Sequence, residues 1–369
     1  MLLELFKERV EKVRSLFEEN GADALLISKC NNFSWFTFGA RSHITLNATE
    51  GEASILVTRD GVYLLINNIE LQRLKDLELP EEIQRELEVV EYDWFERTSA
   101  EKEAIDSIVK GKIISDTGRY DTGTVDLVSL RSVLSDYEVE VYSDLGRECD
   151  EIFSDVVPSF VPEMTELEVQ GIMYREMAKR DIEPVLTLAF SEESTLTYRH
   201  NLSRNTRLGR RGFVSICARR RGLIISSSRS FMFEEVEGIR EQHRRNCYVD
   251  SVAIASSRPG KKLSDVFEKI KEAYASQGAP GEWRFHHQGG LAGYSPREVV
   301  ADPYTSIVLK SGNSLAWNPT IRGTKSEDTV LLLDGQNRIA SYPRSSTWPA
   351  LTFEIDGQTV RRPDIVLLK

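Results

Sequence analysis

The sequence is poor in cysteine and histidine and contains no long hydrophobic run. It has four cysteines and five histidines in 369 residues. The cysteines lie far apart and form no CxxC pair, which excludes a zinc ribbon or a thioredoxin-type motif. No stretch approaches the roughly 20 apolar residues that a membrane-spanning helix needs, and the charged N-terminal segment lacks the apolar region of a signal peptide. We therefore expect a cytoplasmic protein with no membrane partner.

Basic residues are also fewer than acidic residues. The 47 Lys and Arg residues are outnumbered by 58 Asp and Glu residues, which gives a formal net charge of -11. Proteins that bind a phosphate backbone carry a basic balance, so we expect no nucleic-acid partner. A chain of 369 residues exceeds one ordinary core and predicts two domains.

The first part of the chain alternates between helical and strand patterns. Apolar residues recur at helical spacing up to Gly21, and "ADALLIS" then predicts a strand. The segment "ASILVTRDGVYLLINN" predicts a hairpin that turns at Asp60-Gly61. Helices over residues 69–77, 100–109 and 125–134 and strands in "LEVVEYDW", "KIISD" and "YEVEVYS" continue the alternation. This order predicts an α/β domain over residues 1–150.

The pattern changes after residue 150 and predicts a second domain of the α+β class over residues 151–369. Thr165 and Glu168 have the spacing of a capping box at the start of a helix. Residues 184–233 favour strands, and two helices are predicted over residues 234–255 and 263–276. Short strands are then predicted in "SIVLK", "NSLAWNP", "DTVLLLD", "NRIASY" and "LTFEI".

Six motifs occur in an order that resembles one protein family. They are "MTELEVQ", "YRHNL", "VSICARRRGLIISSSRSF", "HHQGGLAGYSPRE", "WNP" and "SEDTVLL". The ordered set resembles the pita-bread metallopeptidases, which include Xaa-Pro aminopeptidases, prolidases, methionine aminopeptidases and creatinase. The resemblance covers nearly the whole chain. It implies a creatinase-type N-terminal domain, a pita-bread C-terminal domain and a homodimer.

The resemblance also locates the family's metal ligands, which are two Asp, one His and two Glu. The corresponding positions in this chain are Ser215, Ser226, Gly290, Asn318 and Glu327. No Asp or Glu occurs anywhere between residues 212 and 231. One carboxylate among neutral residues cannot hold two divalent ions, so we predict no transition metal at this position and no cofactor.

His200, in "TYRHNLSRN", is the candidate catalytic residue. It falls where the family keeps a non-ligand histidine that contacts the substrate, and in creatinase the matching histidine is the acid-base catalyst. An imidazole suits this role because its ordinary pKa of about 6.5 allows proton exchange near neutral pH. The alternative is a histidine that is hydrogen-bonded in a cleft without turnover, and the sequence leaves both open.

The other candidates would bind the substrate. Ser228 and Asn318 are neutral where creatinase uses carboxylates to grip a guanidinium, whereas inward-pointing arginines would favour an anion. Since adjacent residues of a strand point to opposite sides, at most one of His286 and His287 should face the cleft, and His286 matches the family's histidine. The predicted substrate-binding residues are Arg219, Arg221, Ser228, His286, Arg297, Trp317, Asn318 and Glu327. Cys217 is expected to be a buried strand residue.

Three functions are compatible with these residues. The first is a metal-independent hydrolase or lyase that acts on a small C–N-bonded compound or peptide with His200. The second is a non-catalytic protein that binds a peptide or protein partner in the cleft. The third is a true Xaa-Pro aminopeptidase with an atypical metal site. In the absence of metal, a buried Glu327 would need a new cationic partner, and Arg229 or Arg297 is the candidate.

Overall fold

The computed structural model describes residues 1–334 and 336–369, and the chain divides into two compact units, Met1–Arg131 and Ser132–Lys369. The first unit therefore ends before the boundary predicted at residue 150. Residues 136–156 form one continuous helix that belongs to the second unit, so a boundary inside this helix would divide it. No helix in the described ranges is long and apolar enough to cross a membrane.

The first unit is an α/β unit. Its helices are α1 (Leu2–Asn20), α2 (Cys30–Phe36), α3 (Leu71–Arg73), α4 (Glu81–Gln84), α5 (Arg97–Ile108) and α6 (Val128–Arg131), and its strands are β1 (Ala24–Lys29), β2 (Glu50–Thr58), β3 (Val62–Asn67), β4 (Glu88–Tyr92), β5 (Ile113–Ser115) and β6 (Gly123–Thr124). The strands form one mixed sheet in the order β4-β3-β2-β1-β5-β6. The predicted hairpin is confirmed, because β2 and β3 pair antiparallel on either side of Asp60-Gly61.

The second unit carries the remaining elements. Its helices are α7 (Asp136–Val156), α8 (Glu166–Ala178), α9 (Glu192–Thr197), α10 (Ile239–Ser256) and α11 (Leu263–Ser276). Its strands are β7 (Glu183–Phe190), β8 (Arg211–Arg220), β9 (Leu223–Met232), β10 (Gly289–Ala292), β11 (Val299–Val300), β12 (Ser314–Trp317), β13 (Thr320–Ile321), β14 (Thr324–Lys325), β15 (Asp328–Leu333), β16 (Gln336–Ile339), β17 (Ala350–Ile355), β18 (Gln358–Pro363) and β19 (Val366–Leu367).

Two sheets of the second unit meet at the place where the predicted site residues lie. One sheet has the order β19-β9-β8-β7 and the other β11-β10-β12-β15-β16. The backbone N–H of Ser228 in β9 donates to the carbonyl oxygen of Glu327 at 3.0 Å, and the N–H of Ser226 donates to Thr329 Oγ1 in β15 at 2.8 Å. These contacts fix β9 against the segment that begins β15.

The segment "YEVEVYS" was predicted as a strand, and this prediction is wrong because residues 136–156 form α7. Ser135 caps the helix: its hydroxyl accepts from the N–H of Glu138, whose carboxylate accepts from the N–H of Ser135. The buried side chains of α7 include Tyr142, Leu145, Cys149, Ile152 and Val156, whose spacing of three and four residues is helical. The capping box and this stripe outweigh the strand preference of its valines and tyrosines.

Other predicted elements differ from the structure in extent or type. The helix predicted over residues 125–134 is limited to α6. The segment "SIVLK" forms an isolated bridge between Val308 and Lys262 rather than a strand. Its backbone bonds instead to the approach of α11, since the N–H of Leu263 donates to Ile307 O at 2.9 Å. The capping box of α8, Thr165 with Glu168, is present as predicted.

We predict that Ser135→Ala lowers the free energy of unfolding by about 1 kcal/mol, because it removes the side-chain acceptor from the first turn of α7. Urea denaturation measures the change. Ser143→Ala in the same helix is the control, since its hydroxyl donates to Val139 O and caps nothing. Equal losses in the two variants would contradict the prediction.

Candidate functional site

Four small side chains lie on one face of the hairpin formed by β8 and β9. Ser215 lies opposite Ser228, and Cys217 lies opposite Ser226. Because residues two apart in a strand share a face, all four point to the same side. Ser215 Oγ and Ser228 Oγ are 2.6 Å apart, and Cys217 Sγ and Ser226 Oγ are 3.4 Å apart. This face presents hydroxyl groups rather than charge.

Glu327 lies against this face and is buried. Its Oε2 accepts a hydrogen bond from Ser228 Oγ at 2.7 Å and pairs with Lys325 Nζ at 2.8 Å. Its Oε1 accepts from Arg297 Nη2 at 3.1 Å. Both carboxylate oxygens are therefore engaged by cations.

Arg297 connects Glu327 to the serine face. Its Nη1 donates to Ser226 Oγ at 3.0 Å while its Nη2 donates to Glu327. Arg297 is thus one of the two partners expected for Glu327. Arg229, the other candidate, is buried elsewhere and pairs with Asp328 Oδ1 at 3.0 Å and Asp150 Oδ1 at 3.3 Å.

The two basic partners of Glu327 stabilise its ionised form. Burial alone would raise the pKa of this carboxyl, but Lys325 and Arg297 outweigh burial and lower the pKa to about 2. Glu327 is therefore ionised at neutral pH. With two cations against one carboxylate, the three side chains carry one net positive charge.

Three histidines meet next to this group. His200 Nε2 and His286 Nε2 are 3.1 Å apart, and the rings of His286 and His287 stack with centroids at 4.6 Å. The ligand nitrogens of all three lie within 4.8 Å of one another, which makes this cluster a group that could hold one metal ion. Asn318 Nδ2 lies 3.5 Å from His286 Nδ1.

All three imidazoles are neutral at neutral pH. Burial and the nearby Lys325 lower the pKa of His286 to about 2, and burial and Arg297 lower the pKa of His287 to about 4. Partial burial and Lys325 also lower the pKa of His200, which is the exposed member of the cluster. His200 is thus a proton acceptor at neutral pH.

A cavity of about 110 Å³ lies between the serine face and the histidines, and its polar lining includes His200, His287, Arg297, Asn318, Lys325 and Glu327. Three predicted binding residues lie elsewhere. Trp317 is fully buried and donates through Nε1 to Ser257 Oγ. Arg219 pairs with Glu183, and Arg221 Nη1 donates to Tyr137 OH on the exposed side.

The sequence interpretation missed Lys325. The expectation that His286 and His287 point to opposite sides is wrong, because their rings stack and both join His200 in one cluster. His287 lines the cavity, and His286 contacts His200. Lys325 lies two residues before Glu327, and in an extended segment this spacing places both side chains on one side. This spacing could have identified Lys325 as a partner of Glu327 from the sequence.

Gly290 lies on β10 at a φ of +151°, a conformation that side-chain-bearing residues rarely adopt. A Cβ at this position would overlap the carbonyl oxygen of Val299 in the neighbouring strand β11. The close approach of the two strands therefore depends on glycine.

Comparisons with known proteins place this geometry in a family. The model of the Creatinase/Prolidase N-terminal domain matches residues 9–123, and the model of Metallopeptidase family M24 matches residues 140–348. The chain belongs to metallopeptidase family M24. The predicted two-domain fold, a creatinase-type domain followed by a pita-bread domain, is confirmed. A search of curated proteins found no match.

Solved structures share this fold. A prolidase from Pyrococcus horikoshii OT3 has 18% identity and a TM-score of 0.77, with 91% of this chain and 99% of that chain covered. A prolidase from Thermococcus sibiricus has 15% identity and a TM-score of 0.78, with 98% and 99% covered. The N-terminal domain of FACT complex subunit SPT16 from chickpea has 11% identity and a TM-score of 0.72, with 93% and 97% covered. At these identities the likeness shows the fold alone.

The residues present do not fit the two metal ions that membership of the M24 family implies. The pocket offers one carboxylate, Glu327, and its two oxygens already face Lys325 and Arg297. Ser215 and Ser226 offer only neutral hydroxyl groups. Divalent ions bound by hard ligands need several carboxylates, and two neighbouring cations would oppose them.

We predict that Glu327→Gln lowers the free energy of unfolding at pH 7 by about 3–5 kcal/mol, because it leaves Lys325 and Arg297 buried without a counter-charge. The pKa of Glu327 is lowered from 4.5 to about 2. Its stabilisation is therefore complete above pH 4.5 and decreases as the pH falls toward 2. The deficit of the variant should shrink over the same interval in urea denaturation.

Glu268→Gln is the control, because Glu268 is exposed and pairs with Lys271 on the surface of α11. Such a pair contributes less than about 1 kcal/mol. A Glu327→Gln variant that is no less stable than this control at pH 7 would contradict the buried ion-pair assignment.

The lowered pKa of His286 predicts a pH dependence of stability. The unfolded chain binds a proton at His286 below a pKa of 6.5, and the folded chain does so only near 2. Stability is therefore complete above pH 6.5 and falls by up to about 1.4 kcal/mol per pH unit below it. With EDTA present, His286→Asn should reduce this slope between pH 6 and 4, while the contribution of His287, whose pKa is lowered to about 4, should remain. An unchanged slope would show that His286 is not held neutral.

Proposed function

We propose that this M24-family protein binds the carboxylate group of a small molecule or short peptide. The carboxylate binds in the cavity lined by Glu327, Lys325 and Arg297, called the Glu327 pocket below. We also propose that the protein does not hydrolyse peptides through a dinuclear metal centre. The observation that carries the proposal is the net positive charge of Lys325, Arg297 and Glu327 beside neutral histidines. A largely buried site with one excess cation favours an anion. Arginine suits a carboxylate because its guanidinium can donate two parallel hydrogen bonds.

The size of the cavity indicates how much of the ligand it takes. At about 110 Å³ it is smaller than the roughly 300–1,000 Å³ of sites that enclose a whole ligand. It accommodates a carboxylate and a few adjoining atoms, so the remainder of the ligand would extend outward past the exposed His200.

Binding and proton exchange are better supported than nucleophilic catalysis. His200 can accept a proton, which keeps the metal-independent hydrolase as an extension of the proposal. Cys217 lines the cavity, but burial raises the pKa of its thiol, and a protonated thiol is a weak nucleophile. Ser228 Oγ donates to Glu327, but a carboxyl group whose pKa is lowered to about 2 is too weak a base to activate a hydroxyl.

A metal-dependent peptidase is the second candidate. Solved prolidases share the fold, and His200, His286 and His287 could supply three imidazole ligands to a single ion. Lys325 beside the cluster disfavours an added cation. The chickpea FACT subunit domain has the same fold, so the fold by itself does not select the peptidase.

We predict that proline and the dipeptide Ala-Pro bind more tightly than prolinamide and Ala-prolinamide, by about tenfold or more. Only the acids carry the carboxylate that would pair with Lys325 and Arg297. Isothermal titration calorimetry on EDTA-treated protein measures the difference. Arg297→Met should abolish it, whereas Arg221→Met should not, because Arg221 lies outside the cavity.

A hydrolysis assay distinguishes the carboxylate-binding protein from the metal-dependent peptidase. Ala-Pro incubated with the protein and added Mn²⁺, Co²⁺ or Zn²⁺ should remain intact. Turnover that requires one bound ion per chain and disappears in His287→Gln would establish the metal-dependent peptidase. Equal affinity for the acids and amides would overturn carboxylate binding whatever the result with metals.

A homodimer and a cytoplasmic location remain proposals that follow from the family resemblance and the sequence. Light scattering checks the first. A particle of 41.9 kDa, the mass of one chain, would contradict the dimer.

A further inference from the structure

A second cavity lies in the C-terminal unit, apart from the Glu327 pocket. It has a volume of about 390 Å³ and is lined by residues of α7, α10, β16, β18 and the segment after β16. It shares no lining residue with the Glu327 pocket. Its volume lies within the roughly 300–1,000 Å³ of sites that enclose a small ligand.

The charge of this cavity is entirely positive. Arg338, Arg344 and Arg361 line it, and no Asp or Glu does among its described lining residues. In the described parts of the chain none of the three arginines forms an ion pair; Arg338 and Arg344 reach solvent, and Arg361 is half-buried. In a chain with more acidic than basic residues, three arginines around one cavity without a counter-charge indicate an anionic ligand.

Two of these guanidinium groups contact uncharged partners. Arg361 Nη1 donates to the carbonyl oxygen of Arg344 at 3.2 Å, and its Cζ lies 5.2 Å from the ring centroid of Tyr342. Arg338 Nη1 lies 3.4 Å from Ser143 Oγ. Each guanidinium has five N–H donors, so donors remain for a bidentate contact with an anion.

The rest of the lining combines apolar side chains with neutral polar groups. Ile254, Ile339 and Val360 contribute apolar surface. The side-chain nitrogen of Asn337 donates to Ile254 O at 2.6 Å, and that of Gln358 donates to Ala255 O at 3.0 Å. Because the nitrogens are used, the amide oxygens are left to accept hydrogen bonds from a ligand.

We propose that this cavity binds a phosphorylated small molecule with a flat, largely apolar ring system, of the nucleoside monophosphate class. The arginines bind the phosphate, since a guanidinium matches two phosphate oxygens at once. The isoleucine and valine side chains contact the ring, and the amide oxygens of Asn337 and Gln358 accept from its N–H groups. Binding at this cavity requires neither the Glu327 pocket nor a metal ion.

The test is isothermal titration calorimetry of the full chain with adenosine, guanosine, cytidine and uridine 5′-monophosphates, adenosine and inorganic phosphate. At least one monophosphate should bind about tenfold more tightly than its nucleoside or inorganic phosphate. Arg344→Gln and Arg361→Gln should each weaken that binding by about tenfold or more, and the double variant further. Proline should not displace the nucleotide, because it is expected at the other site.

Arg85→Gln is the matched control, since Arg85 is exposed, pairs with Glu81 and lies in the first unit. Thermal melting of each variant identifies loss of fold, and Arg344 is exposed enough that its replacement should not unfold the chain. Three results would overturn the proposal: no monophosphate binds at millimolar concentration, inorganic phosphate binds as tightly as the nucleotide, or the folded double variant keeps its affinity.

Discussion

The buried carboxylate of Glu327 is the constraint on which the site depends. A buried carboxylate is costly unless it is paired and hydrogen-bonded, and Lys325, Arg297 and Ser228 supply both kinds of partner. These contacts hold the serine face of β8 and β9 against the start of β15. They also occupy both oxygens of Glu327, which is the carboxylate among the described residues that line the pocket, so the contacts that stabilise the pocket also give it an excess of positive charge.

The next residue in the chain faces a different set of charges. Asp328 Oδ1 pairs with Arg229 and Asp328 Oδ2 pairs with Arg362, and all three side chains are fully buried. Consecutive carboxylates at the start of β15 are therefore anchored to two separate pairs of cations. The segment cannot shift its register without breaking the three ion pairs that join it to Arg297, Arg229 and Arg362, and this makes Glu327 a fixed part of the pocket.

Local signals predicted most of the fold, and the failures were of two kinds, a local conflict at α7 and contacts between residues distant in sequence. The Asp60-Gly61 turn and the Thr165 cap depend on neighbouring residues and were visible in the sequence. The Ser135 cap is also local, but the alternating valines and tyrosines that follow it favour a strand. Motif order placed Arg297 correctly beside Glu327. It could not show that Trp317 packs into the core, because that depends on contacts with α10 and the segment after it.

Gly290 limits which side chains this part of the site can carry. The resemblance places the family's metal-binding histidine there, yet the backbone of this chain now has no room for a Cβ beside Val299 O. A histidine at this position would require β10 and β11 to move apart before it could approach a metal. A Gly290→His substitution would therefore strain the pairing of β10 and β11 before its imidazole could reach the pocket.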